Sequence, residues 1–537
     1  MLSKLSALNA PKSVALALML GAFFLSTPER AAAQVTAFKQ AVAETGARDA
    51  DIAKFYRAQD FVGVWTGPGE IQLARRAALL DALRRAGDHG LPVSRYDADA
   101  LERQMQNARS ARDLGMIEVE MTRMFLQYAR DIQSGALIPG EVVSQIKREV
   151  EYTDRAALIS GFLAAQPAAY LRGLAPRTLE YSALMTQKMI LQEQSTRGGW
   201  GPTVNAASLE PGETGPAVVA LRNRLMAMGY LERSNAKTYD AAMRSAVEAF
   251  QRAHGLEADG VAGASTITAL NTSIEARLKS IIVSLERERW LNKKRGYRHI
   301  LVNIPDFTAK IVDDGRVTFE TRSVVGANSG DRETPEFSDE MDHMVINPSW
   351  YVPRSIVVGE YLPALRNNPN AVRHIEITDS RGRVVSRNQS FARFTARNFP
   401  YSMRQPPSNS NALGLVKFMF PNKYNIYLHD TPAKSLFSRE VRAYSHGCVR
   451  LNDPFDFAEA LLARQEADPM GFFKAQLRTG RETRVNLNEP VPVHIIYRTA
   501  YTDARGNLNF RNDIYGRDAK IWDALQKAGV ELSRVQG

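Results

Sequence analysis

The hydrophobic periodicity of this chain changes once, and the change separates two kinds of structure. In the first half, apolar residues recur at three- and four-residue spacing, as in Leu73, Ala77 and Leu80, which predicts amphipathic helices. From His299 onward apolar and polar residues alternate, which predicts β-strands. With 537 residues the chain is also longer than one typical domain. The pattern therefore predicts a multidomain α+β protein with helical regions followed by a β-rich domain.

The first 33 residues have the features of a secretory signal. Two lysines precede an uncharged, mostly apolar run at 14–25, and the small residues at 31–33 fit a cleavage site just before Gln34. The apolar run is shorter than the roughly 20 residues that a membrane-spanning helix needs. We therefore expect residues 1–33 to direct export to the periplasm, with an uncleaved anchor as the alternative. No later segment has the pattern of a stable membrane span.

Two helical regions precede the β-rich part. Residues 34–200 are predicted to form a helical scaffold domain without a catalytic cluster. A linker rich in Gly, Pro, Ser and Thr follows at 199–215. Residues 213–272 then predict a small three-helix unit that ends in "FQRAHGLEADGVAGASTITALN".

The β-rich domain is predicted to span residues 298–500. It is interrupted at about 354–411 by a long segment with scattered arginines, prolines and asparagines, which is expected to cap the active site. Residues 501–537 predict a hairpin and a closing helix that brace the scaffold or the catalytic domain.

The segment "AYSHGCVRLND" holds Cys448, the only cysteine of the chain. An exported protein with one cysteine forms no intrachain disulfide, so this thiol is either buried and inert, an intermolecular link, or reactive. The formal net charge of +11 favours an acidic partner such as an anionic wall or membrane surface, although a solvated basic surface would give the same number. An exported chain rarely meets nucleic acid, so none is expected as a partner.

Two histidines could activate the thiol of Cys448. A free thiol is only a few per cent ionised at neutral pH, so a catalytic cysteine needs a base or a positive neighbour. His446 is two residues away on the same segment, and such positions rarely give a good hydrogen bond between sulfur and a ring nitrogen. His429 ends the predicted strand at 424–429, and a neighbouring strand could place it across from the sulfur. His429 is therefore the preferred base.

Gly447 has a separate predicted role. Because it lacks a Cβ, a substrate carbonyl can approach the backbone, and the N–H groups of His446, Gly447 and Cys448 could face a developing oxyanion. A zinc site needs three or four ligands, and one cysteine with two nearby histidines is a poor fit. Neither a metal nor another cofactor is expected.

These motifs resemble a known family. "YLHDTP" at 427–432 followed by "SHGCVRL" at 445–451 resembles the signature of the YkuD-type L,D-transpeptidase domain. The three-helix unit resembles a peptidoglycan-binding domain, with a structural spacer as the alternative. The order of regions, together with "NALG" at 411–414 and "DIYGRD" at 513–518, resembles the large YcbB-type subfamily. Ser408 stands where this subfamily is expected to have a glycine.

The resemblance implies roles for individual residues. Cys448 would be the nucleophile and His429 the general acid/base, with its ring oriented by the backbone carbonyl of Asp430. Ser445, His446 and Gly447 would shape the loop and the oxyanion site. The remaining residues that the resemblance implies would contact the substrate: Arg450, Tyr427 and Asn411.

The resemblance also implies a reaction. The enzyme would form 3→3 peptidoglycan cross-links by acyl transfer through a thioester, from a tetrapeptide stem to the side-chain amine of a diamino acid, and carbapenem-like agents would trap it. The alternatives are transfer to an amine of an outer-membrane protein, hydrolysis as an L,D-carboxypeptidase, and a wall-binding scaffold without catalysis. Expected partners are stem tetrapeptides and glycan strands, with peptidoglycan synthases and D,D-carboxypeptidases as further candidates.

Overall fold

A computed structural model describes residues 28–532 of the chain. Two compact units can be distinguished among the described residues: one comprises 28–73 and 100–123, and the other 74–99 and 124–532. The apolar run of the predicted signal, 14–25, lies outside the described residues. Among the helices that the structure describes, none is both long and apolar enough to cross a membrane.

The N-terminal region is helical, as predicted. Its helices are α1 (Pro28–Gly46), α2 (Ala50–Ala58), α3 (Glu70–Arg84), α4 (Ala98–Asn107), α5 (Ala111–Ser134), α6 (Pro139–Val142), α7 (Arg155–Ala164), α8 (Pro167–Arg172) and α9 (Leu179–Thr196). In the first unit the buried carboxylate of Glu118 accepts hydrogen bonds from the backbone N–H of Trp65, at 3.1 Å, and of Thr66, at 2.9 Å. This carboxylate satisfies backbone donors that a buried loop would otherwise leave unpaired.

The second helical unit has three helices, as predicted for residues 213–272. They are α10 (Pro216–Ala227), α11 (Ala241–Ala253) and α12 (Ala264–Asn271). Asp240 begins α11 by accepting a 2.9 Å hydrogen bond from the N–H of Met243, which is the geometry of an N-cap. Leu221, Val247 and Leu270, one from each helix, are completely buried together in its core.

Helix α13 (Ile274–Trp290) connects this unit to the β-rich domain. Its sequence is highly charged, yet Glu286 and Arg289 are completely buried and pair with each other at 2.7 Å. Apolar residues of α13 pack against α9. The helix is therefore part of a hydrophobic core and is not an exposed linker.

The β-rich domain is a nine-stranded mixed sheet in the order β10-β3-β11-β9-β8-β4-β12-β1-β2, and β2 also pairs with β3, so the order closes on itself. The strands of the chain are β1 (Arg298–Asn303), β2 (Thr308–Asp313), β3 (Arg316–Gly326), β4 (Phe337–Ile346), β5 (Trp350–Tyr351), β6 (Glu376–Thr378), β7 (Ser402–Gln405), β8 (Val416–Met419), β9 (Leu428–His429), β10 (Ala443–Ser445), β11 (Val449–Leu451), β12 (Thr483–Ile496), β13 (Ala500–Thr502) and β14 (Leu508–Phe510). Asp314 and Gly315 both have positive φ, +49° and +77°, as a two-residue β2–β3 hairpin requires.

The predicted strand at 424–429 is shorter in the structure. Only Leu428 and His429 belong to β9, because Asn425 adopts a left-handed conformation with φ of +55° that breaks the extended chain. The prediction of one continuous strand was therefore wrong for its first four residues.

The segment predicted as an insertion has its own sheet and core. Strands β5, β7 and β6 pair in that order, and β5 begins at Trp350, four residues before the predicted start at 354. The helical part comprises α14 (Arg354–Ile356), a π-helical turn at Val357–Tyr361 and α15 (Leu362–Asn367). Buried phenylalanines at 391, 394 and 399 contribute to its separate core.

The last elements surround the main sheet. Helices α16 (Pro454–Leu462) and α17 (Pro469–Arg478) follow β11, and α18 (Arg517–Lys527) closes the described chain. Arg517 on α18 is buried and pairs with Glu336 at 3.0 Å, next to the start of β4. Asp518 pairs with Arg287 of α13 at 2.9 Å. The C-terminal region thus contacts both α13 and the β-rich domain.

Candidate active site

His429 lies on strand β9, and Cys448 lies next to the start of the neighbouring strand β11. Strand β9 runs parallel to β11 with Leu428 opposite Val449 and His429 opposite Arg450. The N–H of Val449 donates a 3.1 Å hydrogen bond to the carbonyl of Tyr427, and Cys448 immediately precedes β11. The ladder therefore brings the histidine and the cysteine to the same end of two paired strands.

Both side chains line one cavity of about 860 Å³. Its catalytic-domain wall includes the loop around Tyr424 and Asn425, and its opposite wall is built by the capping insertion. The insertion residues that face it include Trp350, Tyr351, Arg354, Gly359, Glu360 and Tyr361. The cavity is thus a cleft between the main sheet and the cap.

The ring of His429 is buried, and it hydrogen-bonds backbone groups of Asp430 and Leu413. Nδ1 lies against the backbone carbonyl of Asp430. Because a carbonyl only accepts, Nδ1 carries the proton and Nε2 is left free to accept one when the ring is neutral. Burial, together with the positive charge of Arg450, lowers the pKa of His429 to about 3. The imidazole is therefore neutral at physiological pH.

Cys448 is half-buried, and its Sγ lies 3.5 Å from the carbonyl oxygen of Asn425. Burial raises the pKa of the thiol to about 11, against the opposing effects of hydrogen bonding with Tyr427 and of the cations Arg450 and Lys417. In the resting site both the thiol and the imidazole are thus neutral. A thiolate would form only as the proton is transferred.

The loop that carries the cysteine is held by three hydrogen bonds. The N–H of Gly447 donates to Ser445 Oγ at 3.1 Å, and the Ser445 hydroxyl donates to the carbonyl of Cys448 at 2.5 Å. Thr334 Oγ1 donates to the carbonyl of Gly447 at 2.7 Å. Gly447 has φ of +110°, which favours glycine at this position.

One part of the predicted oxyanion site needs correction. The N–H of Gly447 is already bound to Ser445, so in this structure it does not face the cavity as a free donor. Within residues 28–532, the N–H groups of His446 and Cys448 have no hydrogen-bond acceptor. These two amides are the remaining candidates to bind an oxyanion.

His446 points toward the cap rather than toward the thiol. Its Nε2 lies 2.6 Å from Oε1 of Glu360 in the π-helical turn. The same carboxylate oxygen accepts a 2.8 Å hydrogen bond from Arg332. His446 therefore connects the cysteine loop to the insertion.

The three predicted substrate-contact residues differ in position. Arg450 and Tyr427 line the cavity, and among the described residues the buried Nε of Arg450 has no hydrogen-bond partner. Asn411 is completely buried, and its side chain bonds backbone carbonyls, including that of Pro348 at 3.1 Å, and the N–H of Leu413 at 2.8 Å. Asn411 therefore supports the loop and has no free donor for a substrate. Ser408 is exposed, and its hydroxyl lies 3.3 Å from that of Ser410.

Sequence reasoning missed Lys417, Thr334 and Glu360 as residues of the site. Lys417 is opposite His429 in the β8–β9 ladder, so strand pairing could have identified it. Thr334 and Glu360 are far from Cys448 in sequence, and no local pattern marks them. In the part of the chain that the structure describes, no three His, Cys, Asp or Glu residues form a group suited to a metal ion.

Comparisons with known proteins agree with this organisation. Residues 297–493 match the L,D-transpeptidase catalytic domain YkuD, residues 50–187 match a scaffold domain, and residues 214–270 match the "putative peptidoglycan binding domain". The chain is 35% identical to a "Putative L,D-transpeptidase" of Haemophilus influenzae over 240 residues, which cover 42% of this chain and 47% of that protein. The chain thus aligns with about half the length of this relative.

Two solved structures are also similar. One is the L,D-transpeptidase (residues 123–326) of Xylanimonas cellulosilytica, with 18% identity, coverage of 55% of this chain and 98% of that one, and a TM-score of 0.18. The other is an L,D-transpeptidase (Yku) of Stackebrandtia nassauensis, with 14% identity, coverage of 55% and 97%, and a TM-score of 0.22. At these TM-scores the likenesses carry no inference.

The fold and the matched domains define a multidomain protein in which a transpeptidase domain is joined to a peptidoglycan-binding module. More particularly, residues 297–493 belong to the YkuD family of L,D-transpeptidase catalytic domains. The resemblance drawn from the motifs, including the scaffold domain, is confirmed at this level.

Proposed function

We propose that this protein forms 3→3 peptidoglycan cross-links by acyl transfer through Cys448. The observation that carries the proposal is that His429, on β9, and Cys448, just before the paired strand β11, line one capped cavity. The domain match indicates the reaction class, and we propose Cys448 as its nucleophile and His429 as its base.

The first half-reaction would make a thioester. His429 Nε2 accepts the proton of the Cys448 thiol while the sulfur attacks the carbonyl carbon of the diamino acid at position three of a stem tetrapeptide. The C–N bond to the terminal D-Ala then breaks, and the proton on His429 passes to the leaving amine. The amides of His446 and Cys448 are the donors available for the oxyanion.

The second half-reaction would reverse these roles. A side-chain amine of a second stem loses a proton to His429 and attacks the thioester carbonyl, so that a C–N bond forms and the C–S bond breaks. The proton on His429 returns to the sulfur, which restores the thiol. Water in place of the amine would give tripeptide, and an amine of an outer-membrane protein would give a protein–wall linkage.

Two cations next to the sulfur would stabilise the thiolate as it forms. Arg450 and Lys417 both lower the pKa of Cys448, and the half-buried setting strengthens their effect compared with bulk water. Arg450 also remains our proposed contact for a substrate carboxylate, because its Nε has no partner among the described residues.

The matched domains imply a protein that acts on the cell wall. We propose that residues 1–33 export it to the periplasm and that the domain at 213–272 holds it on glycan strands. Peptidoglycan synthases and D,D-carboxypeptidases are proposed partners, since a carboxypeptidase that removes D-Ala from pentapeptides would supply the tetrapeptide donor.

The test is mass spectrometry of the purified chain with tetrapeptide muropeptides. We expect an acyl adduct on Cys448 that has lost D-Ala, followed by a cross-linked dimer. Cys448→Ala should form neither, and His429→Ala should slow adduct formation by roughly a hundredfold or more. An unchanged product with Cys448→Ala would refute the mechanism and leave a wall-binding scaffold as the alternative.

A further inference from the structure

A second cavity in the same unit is strongly basic. It encloses about 510 Å³, and we call it the basic cavity. Six lysines and arginines line it: Lys147, Arg148, Lys293, Lys294, Arg295 and Lys423. They come from three separate parts of the chain, namely the segment after α6, the end of α13 and the β8–β9 loop.

The positive charge of this cavity is only partly compensated. Three carboxylates, those of Glu149, Asp339 and Glu340, also line it, and Arg295 is already paired with two carboxylates outside the lining, Glu288 at 2.9 Å and Glu180 at 3.0 Å. Lys293 pairs with Glu151 at 3.4 Å. Among the described residues, the other three lysines of the cavity, at positions 147, 294 and 423, form no ion pair. Such a site favours a ligand with several negative charges.

Arg148 is a cation held in the wall of this cavity by hydrogen bonds. Its guanidinium donates to Ser338 Oγ and to the carbonyl of Ile495, both at 2.9 Å. Burial lowers its pKa to about 10; the carboxylate of Glu336 opposes this shift, and nearby arginines including Arg295 add to it. The hydrogen bonds therefore fix one positive charge of the cavity in position.

The basic cavity adjoins the catalytic one. Tyr424 lines both cavities, and its neighbours divide between them: Lys423 faces the basic cavity and Asn425 the catalytic one. The carbonyl of Asn425 is the atom 3.5 Å from Cys448 Sγ. Tyr424 packs edge-on against Phe337 at 4.9 Å between ring centroids. One aromatic side chain thus separates an anion-attracting site from the nucleophile.

We propose that the basic cavity binds the carboxylates of the acceptor stem peptide while its side-chain amine reaches the thioester on Cys448. This inference rests on the proposed function, in which two acidic peptides must meet at one sulfur. The donor carbonyl has to occupy the catalytic cavity to be acylated. The acceptor therefore needs a second site, close enough for its side-chain amine to reach the sulfur. That site needs cations to bind the acceptor's carboxylates.

The positive potential also suits the chemistry of the acceptor. An ammonium group attacks no carbonyl, and nearby cations favour the neutral amine by lowering its pKa. Carboxylates of the stem would be held by the lysines, and the amine beside them would be easier to deprotonate. His429 then accepts the second proton as the C–N bond forms and the C–S bond breaks.

The first test changes two lysines that lie away from the cysteine loop. In the full chain, Lys147→Glu combined with Lys294→Glu should lower the ratio of cross-linked dimer to tripeptide about tenfold, because water needs no anion site. The control combines Lys54→Glu and Lys520→Glu, two exposed lysines elsewhere, with the same change in net charge. A ratio equal in both variants and in the unaltered chain would overturn the acceptor site.

A second measurement is independent of catalysis. A stem tripeptide lacks the terminal D-Ala and cannot acylate the cysteine, and the part of its binding to the Cys448→Ala chain that depends on Lys147 and Lys294 reports this site. We expect Lys147→Glu combined with Lys294→Glu to weaken tripeptide binding to the Cys448→Ala chain (the parent) about tenfold. Added salt should also weaken tripeptide binding to the parent. Equal affinity in the parent and the pair would overturn the proposal. Lack of an adduct with tetrapeptide would overturn the proposed function instead.

Discussion

Thr334 Oγ1 donates a 2.7 Å hydrogen bond to the backbone carbonyl of Gly447, the residue before the candidate nucleophile. The same hydroxyl accepts a 2.8 Å hydrogen bond from the N–H of Gly326 at the end of β3. Tyr515 contacts the same region, since its hydroxyl accepts from the N–H of Thr334 at 3.3 Å. The orientation of the cysteine loop therefore depends on a threonine that contacts no substrate-facing atom.

Replacing this hydroxyl should impair activity through the loop. Thr334→Val keeps the shape but leaves the carbonyl of Gly447 and the N–H of Gly326 unpaired, at a cost of about 1–3 kcal/mol in unfolding free energy. A displaced loop would also slow acylation about tenfold or more. Thr334→Ser retains the hydroxyl and should keep most of the unfolding free energy and most of the acylation rate. Denaturant unfolding measures the first and adduct formation the second. Equal acylation rates for Val and wild type would contradict this role.

The raised pKa of Cys448 predicts how the free protein reacts with iodoacetamide. With a thiol pKa of about 11, only about one molecule in ten thousand is a thiolate at pH 7. The alkylation rate should therefore rise about tenfold per pH unit from pH 7 to 10. Arg450→Met should slow alkylation further, since the positive charge of Arg450 lowers the thiol pKa. A rate that levels off below pH 8 would instead indicate a preformed thiolate.

Much of this site could be predicted from sequence because it is encoded locally. The motif around Cys448 and the strand that ends at His429 were both visible as patterns, and the ladder places them side by side. The π-helical turn with Glu360 was not predictable, because its contact with His446 joins residues 86 positions apart. Only the folded insertion creates that pair.

The burial of helix α13 could not be predicted from its charge pattern. Its sequence is highly charged, yet Arg287 is buried between Glu336, at 2.7 Å, and Asp518, at 2.9 Å. Its partners come from the residue before β4 and from α18, far along the chain, so no local pattern predicts them. The strand predicted at 424–429 was too long for another reason. Asn425 adopts a positive φ, which asparagine tolerates, and the alternation of apolar and polar residues does not reveal this.

The contact between Glu360 and His446 predicts that its loss changes the mobility of the cysteine loop rather than the stability of the protein. Glu360, His446 and Arg332 are each more than a third exposed, and exposed pairs contribute about 0–1 kcal/mol, so Glu360→Gln should leave the melting temperature nearly unchanged. Faster hydrogen exchange at 443–447 and a several-fold higher KM for tetrapeptide are expected. Glu376→Gln, which breaks the 3.3 Å pair with Arg404 elsewhere on the insertion, is the matched control. The same exchange in both variants would argue against a link to the loop.

Arg517 should be essential for stability. Its guanidinium is buried, pairs with Glu336 and Glu333 at 3.0 and 2.9 Å, and donates to the carbonyl of Thr334 at 2.8 Å. Arg517→Met removes one of the two arginines that pair with the buried Glu336 and takes its partner from the half-buried Glu333, and breaking a buried ion pair typically costs up to about 3–5 kcal/mol. Denaturant unfolding measures this loss, with the exposed Arg505→Met as control. A loss no larger than that of the control would show that the remaining arginines compensate.

The buried histidines predict a loss of stability in acid. His494 is held neutral, since its Nε2 donates to the carbonyl of Arg295 at 3.0 Å and its Nδ1 accepts from Ser338 Oγ at 2.8 Å. Burial lowers its pKa to about 4, whereas in the unfolded chain the pKa is near 6.5. Between these values only the unfolded chain binds the proton. The contribution of neutral His494 to the free energy of unfolding is therefore complete above pH 6.5 and decreases as the pH falls toward 4.

At pH 5 this single site should reduce the unfolding free energy by roughly 2 kcal/mol relative to pH 7. His494→Gln does not titrate in this range, so the variant should lose less stability between pH 7 and 5 than the wild type does, even if its stability at pH 7 is lower. His374→Gln, at an exposed position, should lose as much as the wild type. Denaturant unfolding at both pH values gives the differences directly. The same loss in His494→Gln and wild type would mean that His494 is protonated in the folded protein as readily as in the unfolded chain.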